Sequence, residues 1–240
     1  MASAASIQKM RVGIIGPGIV GQTLGSKLVA LGHSVIMGTR NPNDLDSAKG
    51  RAASLSKWLA DVGPGARAAS FAEAASQAEV VINATPGDVS VDALRLAGSS
   101  HLAGKVLIDV SNELDYSHGM PPISLAGDSE RQSVGMRIQN AFPEARVVKT
   151  LNTMNCLLMV NPGQLAGGDH SVFVCGNDAG AKDTVTQVLR SFGWRDIVDL
   201  GGIDAARGPE MYMAFWVRLW TTVGMVPGSP PRQFNVKFVR

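Results

Sequence analysis

The sequence predicts an α/β chain built on a doubly wound parallel sheet with a small C-terminal α/β extension, and three observations carry that expectation. Short apolar runs bounded by glycine, proline or polar residues recur along the chain, the profile of strands buried on both faces. Between them lie segments whose apolar residues recur at helical spacing. The first run is followed at once by a glycine-rich turn that opens one of those helical segments.

In chain order, Met10 to Gly16 (MRVGIIG) reads as the first strand. Val20, Leu24, Leu28 and Leu31 then mark a helix that Gly32 is placed to end. Ser34 to Met37 is a second strand, Asn41 to Ser54 a polar loop, Leu55 to Val62 a helix, and Ala66 to Ala69 a short strand. Glu79 to Ala84, Lys105 to Val110 and Arg146 to Leu151 are further strands, with a helix over Arg131 to Ala141. The stretch from Asn112 to Ser129 is long and rich in glycine, proline and polar residues, as functional loops are. After Asn161 come a strand (Ser171 to Cys175), a helix lined by Val185, Val188, Leu189 and Phe192, a strand (Asp196 to Leu200) and one long helix from Ala205 to Met225. Strands alternating with helices imply a parallel sheet covered on both faces. The expected division is 10–155 for the nucleotide-binding part and 156–240 for a smaller part that helps form the second half of the cleft.

Composition narrows the function classes. The 240 residues hold two cysteines, too few for a disulfide framework. Basic and acidic residues nearly balance, 22 against 20, with no Lys/Arg run, so nucleic acid is excluded as a partner. The most apolar stretch, Met211 to Pro227, is interrupted by Arg218 and is too short to span a membrane. Met1 to Lys9 lacks the pattern of a signal peptide, and the expected compartment is the cytoplasm. Charged residues make up 18%, against about 25% in average domains. Part of the surface is therefore expected to lie under a second subunit. The helix near Met211, Phe215, Trp216, Leu219, Trp220 and Val223 is apolar over most of its circumference, which makes it the expected homodimer contact.

The motif that carries chemistry is Gly16-Pro17-Gly18-Ile19-Val20-Gly21, a G-x-G-x-x-G between a strand and a helix. In that context the first glycine makes a tight turn, the second lets backbone approach a pyrophosphate, and the third lets helix and strand pack closely. The helix start offers free N–H groups and a positive dipole end. This is the Rossmann-type arrangement. The second strand ends in Thr39-Arg40-Asn41, where an NAD-binding chain places an acid against the ribose 2′-hydroxyl. Arg40 instead offers a planar cation for a 2′-phosphate, which favours NADP(H) over NAD; the bland alternative is a solvated surface arginine.

Ligands of open parallel sheets bind beyond the carboxyl ends of the strands. Ala84-Thr85-Pro86, Ser111-Asn112 and Asn152-Thr153 stand there, small or polar groups suited to a carboxamide and ribose, or simply turn formers. His118, beside Tyr116 in the long loop, is a candidate proton donor or a surface histidine. His33 is read as a helix cap, and His101 and His170 as solvated. Lys149 points into the cleft or into solvent. No spacing suited to a metal occurs.

Together the segments MRVGIIGPGIVGQTLGSKLVALGH, VIMGTRNP, VINATPG, IDVSNELDYSHGMPP, VVKTLNTMN, VFVCGNDAGAKDTV and FNVKFVR resemble the coenzyme F420-dependent NADP oxidoreductase family. The resemblance runs from about Met10 to Arg240. It implies a domain that binds NADP(H), with Gly16, Gly18, Ile19, Val20 and Gly21 around the pyrophosphate and Thr39, Arg40 and Asn41 at the 2′-phosphate. Pro42, Asn43 and Asp44 stand where some members carry a further basic residue. The expected activity is hydride transfer between NADPH and a flavin, a deazaflavin such as F420, or a small carbonyl or imine acceptor. Thr85, Asn112 and Asn152 are expected around the nicotinamide, with Thr153, Tyr116 and His118 at the acceptor. The rival is a non-catalytic module that senses NADPH.

Overall fold

In the computed structural model the described residues are 8–47, 52–127, 132–225, 228 and 231–240. Met1 to Ile7, most of the segment read for a leader, lies outside them, as do Arg131, where the third helix was expected to begin, and Pro227.

Among the described residues ten strands form in chain order: β1 (Arg11–Ile15), β2 (Ser34–Thr39), β3 (Ala66–Ser70), β4 (Val80–Asn83), β5 (Val106–Asp109), β6 (Leu114–Asp115), β7 (Ile123–Ser124), β8 (Arg146–Thr150), β9 (Ser171–Gly176) and β10 (Asp196–Asp199). Eight of them make one sheet in the order β10-β9-β8-β5-β4-β1-β2-β3, and β6 pairs with β7 in a small hairpin. The chain winds outward in one direction from β1 and in the other from β4. The switch point therefore lies between these two hydrogen-bonded neighbours.

Among the described residues nine α-helices accompany them: α1 (Ile19–Ala30), α2 (Leu55–Val62), α3 (Phe71–Gln77), α4 (Ser90–Ala97), α5 (Ser99–Leu102), α6 (Val134–Ala141), α7 (Cys156–Val160), α8 (Ala179–Phe192) and α9 (Arg207–Leu219). The central strands are buried on both faces, and two apolar layers result. One joins Ile14, Met37, Ile82, Ile108 and Val148 to Leu24 and Leu28 of α1 and Val185 and Leu189 of α8. The other joins Ile15, Val81, Leu107 and Val147 to Ala74 of α3, Leu94 of α4 and Ile138 of α6.

The expected all-parallel sheet is corrected at one place: β9 runs antiparallel to β8. An antiparallel neighbour needs no crossover helix. The link between them holds only the single turn and a half of α7 and two 3-10 turns, at Pro162–Gln164 and Ala166–Gly168. The 14-residue α8 then crosses over to place β10 parallel to β9. The expected helix from Ala205 to Met225 is also divided. A 3-10 turn (Ile203–Ala206) leads into α9, which loosens into a π turn at Trp220–Gly224. There Trp216 and Trp220 stack with centroids 5.3 Å apart, and Phe234 folds back on Trp216 at 5.4 Å.

Candidate functional site

The site begins at the glycine turn above the switch point. Gly16 has φ 115°, and a Cβ there would sit 2.7 Å from the Ala84 carbonyl oxygen of the β4 end. A Cβ on Gly21 would lie 2.0 Å from the Gly16 carbonyl oxygen. The first and third glycines are thus demanded by the chain's own packing. Gly18 is not: its φ is an ordinary −70°, and a Cβ there would meet nothing within 4 Å.

Gly18 is also the N-cap of α1, and no side chain caps that helix. By contrast α2, α3, α6, α7 and α8 are capped by Ser54, Ser70, Ser133, Asn155 and Asp178. The first turn of α1, with Ile19 43% exposed and Val20 half-buried, therefore presents uncapped N–H groups to open space. A dinucleotide pyrophosphate fits that cradle.

At the end of β2, Arg40 is exposed and has no ion-pair partner among the described residues. Thr39 Oγ1 accepts from the Asn41 amide at 3.3 Å, and Asn41 Oδ1 accepts from the Asn43 amide at 3.3 Å, which fixes the turn that carries the arginine. The nearest acid, Asp44, is engaged by the hydroxyl of Ser47 at 2.6 Å. A guanidinium, a hydroxyl and an amide at one strand end form a donor set suited to a phosphate monoester.

Beyond β4, β5 and β8 the predicted residues share the carboxyl edge of the sheet, but most of their polar groups are spent on one another. Ala84 is half-buried and Pro86 exposed. The Thr85 hydroxyl donates to Asn83 Oδ1 at 2.7 Å and lies 3.0 Å from the Ser90 hydroxyl. Asn83 Nδ2 in turn donates to Asp109 Oδ1 at 2.9 Å. Asn112 Nδ2 donates to the Asn152 carbonyl at 2.7 Å, and Asn152 Nδ2 donates to Asn112 Oδ1 at 3.0 Å and to the Pro209 carbonyl at 3.1 Å. These residues brace the edge. The buried hydroxyl of Ser111, next in the chain to Asn112, has no hydrogen-bond partner among the described residues.

Lys149 points neither into the cleft nor into solvent. It is fully buried, with Nζ 2.9 Å from Asp109 Oδ2 and 3.0 Å from Glu210 Oε1. Burial pushes its ammonium pKa down, but the two carboxylates more than offset this and hold it above the usual lysine value. Glu210 also accepts from the backbone amides of Val134 at 2.8 Å and Gly135 at 3.1 Å, so its charge sits at the positive end of α6. The cluster bolts the first turn of α9 to the ends of β5 and β8. Cys175, register partner of Lys149 across the sheet, has its thiol pushed up to about 12 by burial. Sequence reasoning missed Glu210 and the fate of Lys149. The VVKT run, buried at every position, gave no sign that an acid from a remote helix would meet the lysine.

Two histidine readings are corrected. His33 is buried and accepts from the Met10 amide through Nδ1 at 3.1 Å rather than capping the helix, because β1 and β2 run side by side there. His170 is buried, not solvated: its Nε2 lies 3.0 Å from the Pro162 carbonyl and its ring packs on Trp194. His101 is half-buried, with Nδ1 2.9 Å from the Ala97 carbonyl.

Tyr116 and His118 are exposed in the turn of the β6–β7 hairpin. A cavity of about 360 Å³ opens instead between Thr153, the start of α9 (Gly208, Pro209, Tyr212), Phe173 of β9 and the segment Val236-Lys237-Phe238. Its lining is almost wholly apolar. Of the expected acceptor residues only Thr153 lines it, next in the chain to Asn152. The segment 235–238 is held in place by backbone and side-chain bonds to Ser171: the Ser171 amide donates to the Val236 carbonyl, and the Phe238 amide donates to Ser171 Oγ. Among the described residues no helix is long and apolar enough to cross a membrane, and no cluster of side chains is arranged to hold a metal.

The family model described as NADP oxidoreductase, coenzyme F420-dependent, matches residues 11–113. The crystal structure of a candidate F420-dependent NADP-reductase from Arthrobacter sp. FB24 is 48% identical, covers 96% of this chain and 100% of its own, and superposes with a TM-score of 0.87. The F420-dependent NADP reductase of Methanocaldococcus jannaschii is 25% identical over 82% of this chain and 86% of that protein. Metalloreductase STEAP3 of Rattus norvegicus is 33% identical over 83% of this chain but only 36% of its own length. The chain thus spans little more than a third of the metalloreductases it matches.

Proposed function

The chain belongs to the coenzyme F420-dependent NADP oxidoreductase family, and from that premise we propose that it binds NADP(H) across the switch point and passes hydride between it and a small acceptor. One observation carries the reading: an uncapped helix start beside an open Gly18, with an exposed Arg40 at the next strand end that has no ion-pair partner among the described residues. Gly16, Gly18, Ile19, Val20 and Gly21 hold the pyrophosphate in this account. Thr39, Arg40 and Asn41 hold the 2′-phosphate. Ala84, Thr85, Pro86, Asn112 and Asn152 wall the nicotinamide end. When bound, NADPH supplies the hydride. The protein's part is to align that cofactor with an acceptor and exclude water. The cavity beside Thr153 is open rather than filled by side chains, which supports an enzyme over a sensor. Flavins, deazaflavins and small carbonyl or imine compounds are the acceptor classes.

Arg40→Ala tests the cofactor assignment. A charge-assisted fork contributes about 1.5–3 kcal/mol, so titration calorimetry is expected to show NADPH affinity falling by about ten- to a hundredfold. NADH affinity is expected to stay nearly unchanged. Equal NADPH and NADH affinities in the unmutated protein would count against the assignment.

The assembly we propose is a homodimer. Met211, Phe215 and Val223 are 45%, 57% and 46% exposed along α9 and the π turn that follows it, an apolar stripe that a second copy covers. Light scattering is expected to report twice the 25.2 kDa of the chain at micromolar concentration. Phe215→Glu, at the most exposed of the three, is expected to return the monomer. Trp220 is buried and would test folding instead.

A further inference from the structure

The Tyr212 hydroxyl is buried and has no hydrogen-bond partner among the described residues, although its residue lines the apolar cavity beside the sheet edge. Buried hydroxyls in folded chains are nearly always bonded, and one left open beside a cavity marks a place for a ligand atom. The charged residue of the lining, Lys237, is committed to Asp169 and lies 3.8 Å from Asp196. Among the described residues the cavity therefore offers an anion no free cation. Its other walls are Phe173, Leu200, Pro209 and Phe238. A site of about 360 Å³ with such walls, the Thr153 side chain and the unpartnered Tyr212 hydroxyl suits an uncharged, largely apolar ligand with a lone-pair-bearing atom.

We propose that the acceptor taken by this cavity is an uncharged apolar aldehyde or ketone, and that Tyr212 is the acid that protonates its oxygen. The inference rests on the oxidoreductase reading above and names its substrate class. The carbonyl carbon receives a hydride, with its two electrons, from the bound cofactor, and the C=O π pair moves onto oxygen. The Tyr212 O–H bond breaks, its proton goes to that oxygen, and water reprotonates the phenolate. The carbonyl is reduced to an alcohol as NADPH is oxidised. Burial holds the Tyr212 phenol above its ordinary pKa, so it stands protonated at neutral pH, ready to donate. An alkoxide is a stronger base still and takes the proton downhill. His118 and Tyr116 are exposed and do not line the cavity, so neither is placed for the task.

Anaerobic NADPH oxidation by the whole protein tests the proposal, with benzaldehyde, cyclohexanone and riboflavin as probes. Tyr212→Phe keeps the ring that packs 6.0 Å from Phe215, so the fold is retained. Its kcat with either carbonyl is expected to fall about 10²–10⁴-fold. NADPH affinity stays constant, and the alkaline decline of the wild-type rate disappears with the phenol. His118→Ala is expected to keep the wild-type rate. A Tyr212→Phe variant with wild-type kcat on the carbonyls overturns the role of Tyr212. Wild-type protein that oxidises NADPH with riboflavin but with neither carbonyl overturns the substrate class and leaves the oxidoreductase reading standing. Oxidation with none of the three overturns the substrate class, and the oxidoreductase reading then stands or falls on F420 as acceptor.

Discussion

Lys149→Met is expected to destabilise the protein by about 3–5 kcal/mol, because it leaves Asp109 and Glu210 buried together without their shared cation. Methionine fills similar space, so the loss reports charge rather than a cavity. Denaturant titration at neutral pH reads it directly. A shift below about 1 kcal/mol would show that the two carboxylates are satisfied without the lysine. The pH dependence of the unmutated protein follows from the same neighbourhood. The folded pKa of Lys149 is raised above 10.5, so its contribution is complete below that value and is lost as pH climbs through the folded pKa. Cys175 acts in the same direction. Its thiol keeps its proton to about 12 in the native state, whereas the unfolded chain releases it from about 9. Between those values the native state binds more protons, and stability falls as pH rises. Cys175→Ala is expected to flatten the early part of that decline.

Gly18→Asp is expected to abolish NADPH binding, by at least about a hundredfold, while leaving the melting temperature unchanged or slightly raised. The two effects separate for a physical reason. Gly18 has an ordinary φ and open space around its Cα, and aspartate is among the best N-caps, so α1 gains a capping carboxylate. That carboxylate occupies the space assigned to the pyrophosphate and repels it. A hundredfold loss corresponds to roughly 2.7 kcal/mol, a modest demand on a displaced dianion. Gly21→Ala is the contrasting control. Its Cβ would fall 2.0 Å from the Gly16 carbonyl oxygen, so that variant loses stability as well. Binding retained in Gly18→Asp, measured by calorimetry, would mean that the cofactor lies elsewhere.

How much of this was legible in the sequence depended on how local each signal was. The strand–glycine turn–helix unit was fully legible, because Gly16 and Gly21 answer to backbone contacts within a few residues or at the next strand end. Leu55–Val62 was read with its observed bounds, since Trp58 and Leu55 mark its buried face. The short helices α3, α4, α5 and α7 escaped. Phe71–Gln77 and Ser90–Ala97 do bury stripes at helical spacing, Phe71, Ala74 and Ala75 in one and Ser90, Ala93, Leu94 and Ala97 in the other, but these are built mostly of alanine and serine, which stand out little from their surroundings. The reversal of β9 was illegible for a different reason. A strand buried on both faces looks the same in either direction, and only the connection decides. At the site, the sequence brought Thr85, Asn112 and Asn152 to one sheet edge. It did not show that Asn112 and Asn152 bond each other, nor that α9 delivers Glu210 to Lys149 and Tyr212 to the cavity. Those pairings join residues 40 or more positions apart, beyond the reach of any periodicity.

The central claim, that this chain catalyses hydride transfer from NADPH rather than merely binding it, is tested most directly by one anaerobic assay. The purified protein is mixed with NADPH and, in turn, with F420, riboflavin, benzaldehyde and cyclohexanone, and loss of reduced nicotinamide is followed against acceptor reduced. The account predicts catalytic oxidation with at least one acceptor, one molecule reduced for each NADPH consumed. Tight NADPH binding by calorimetry, with no oxidation by any of the four, would contradict it and mark the chain as a sensor of the cofactor.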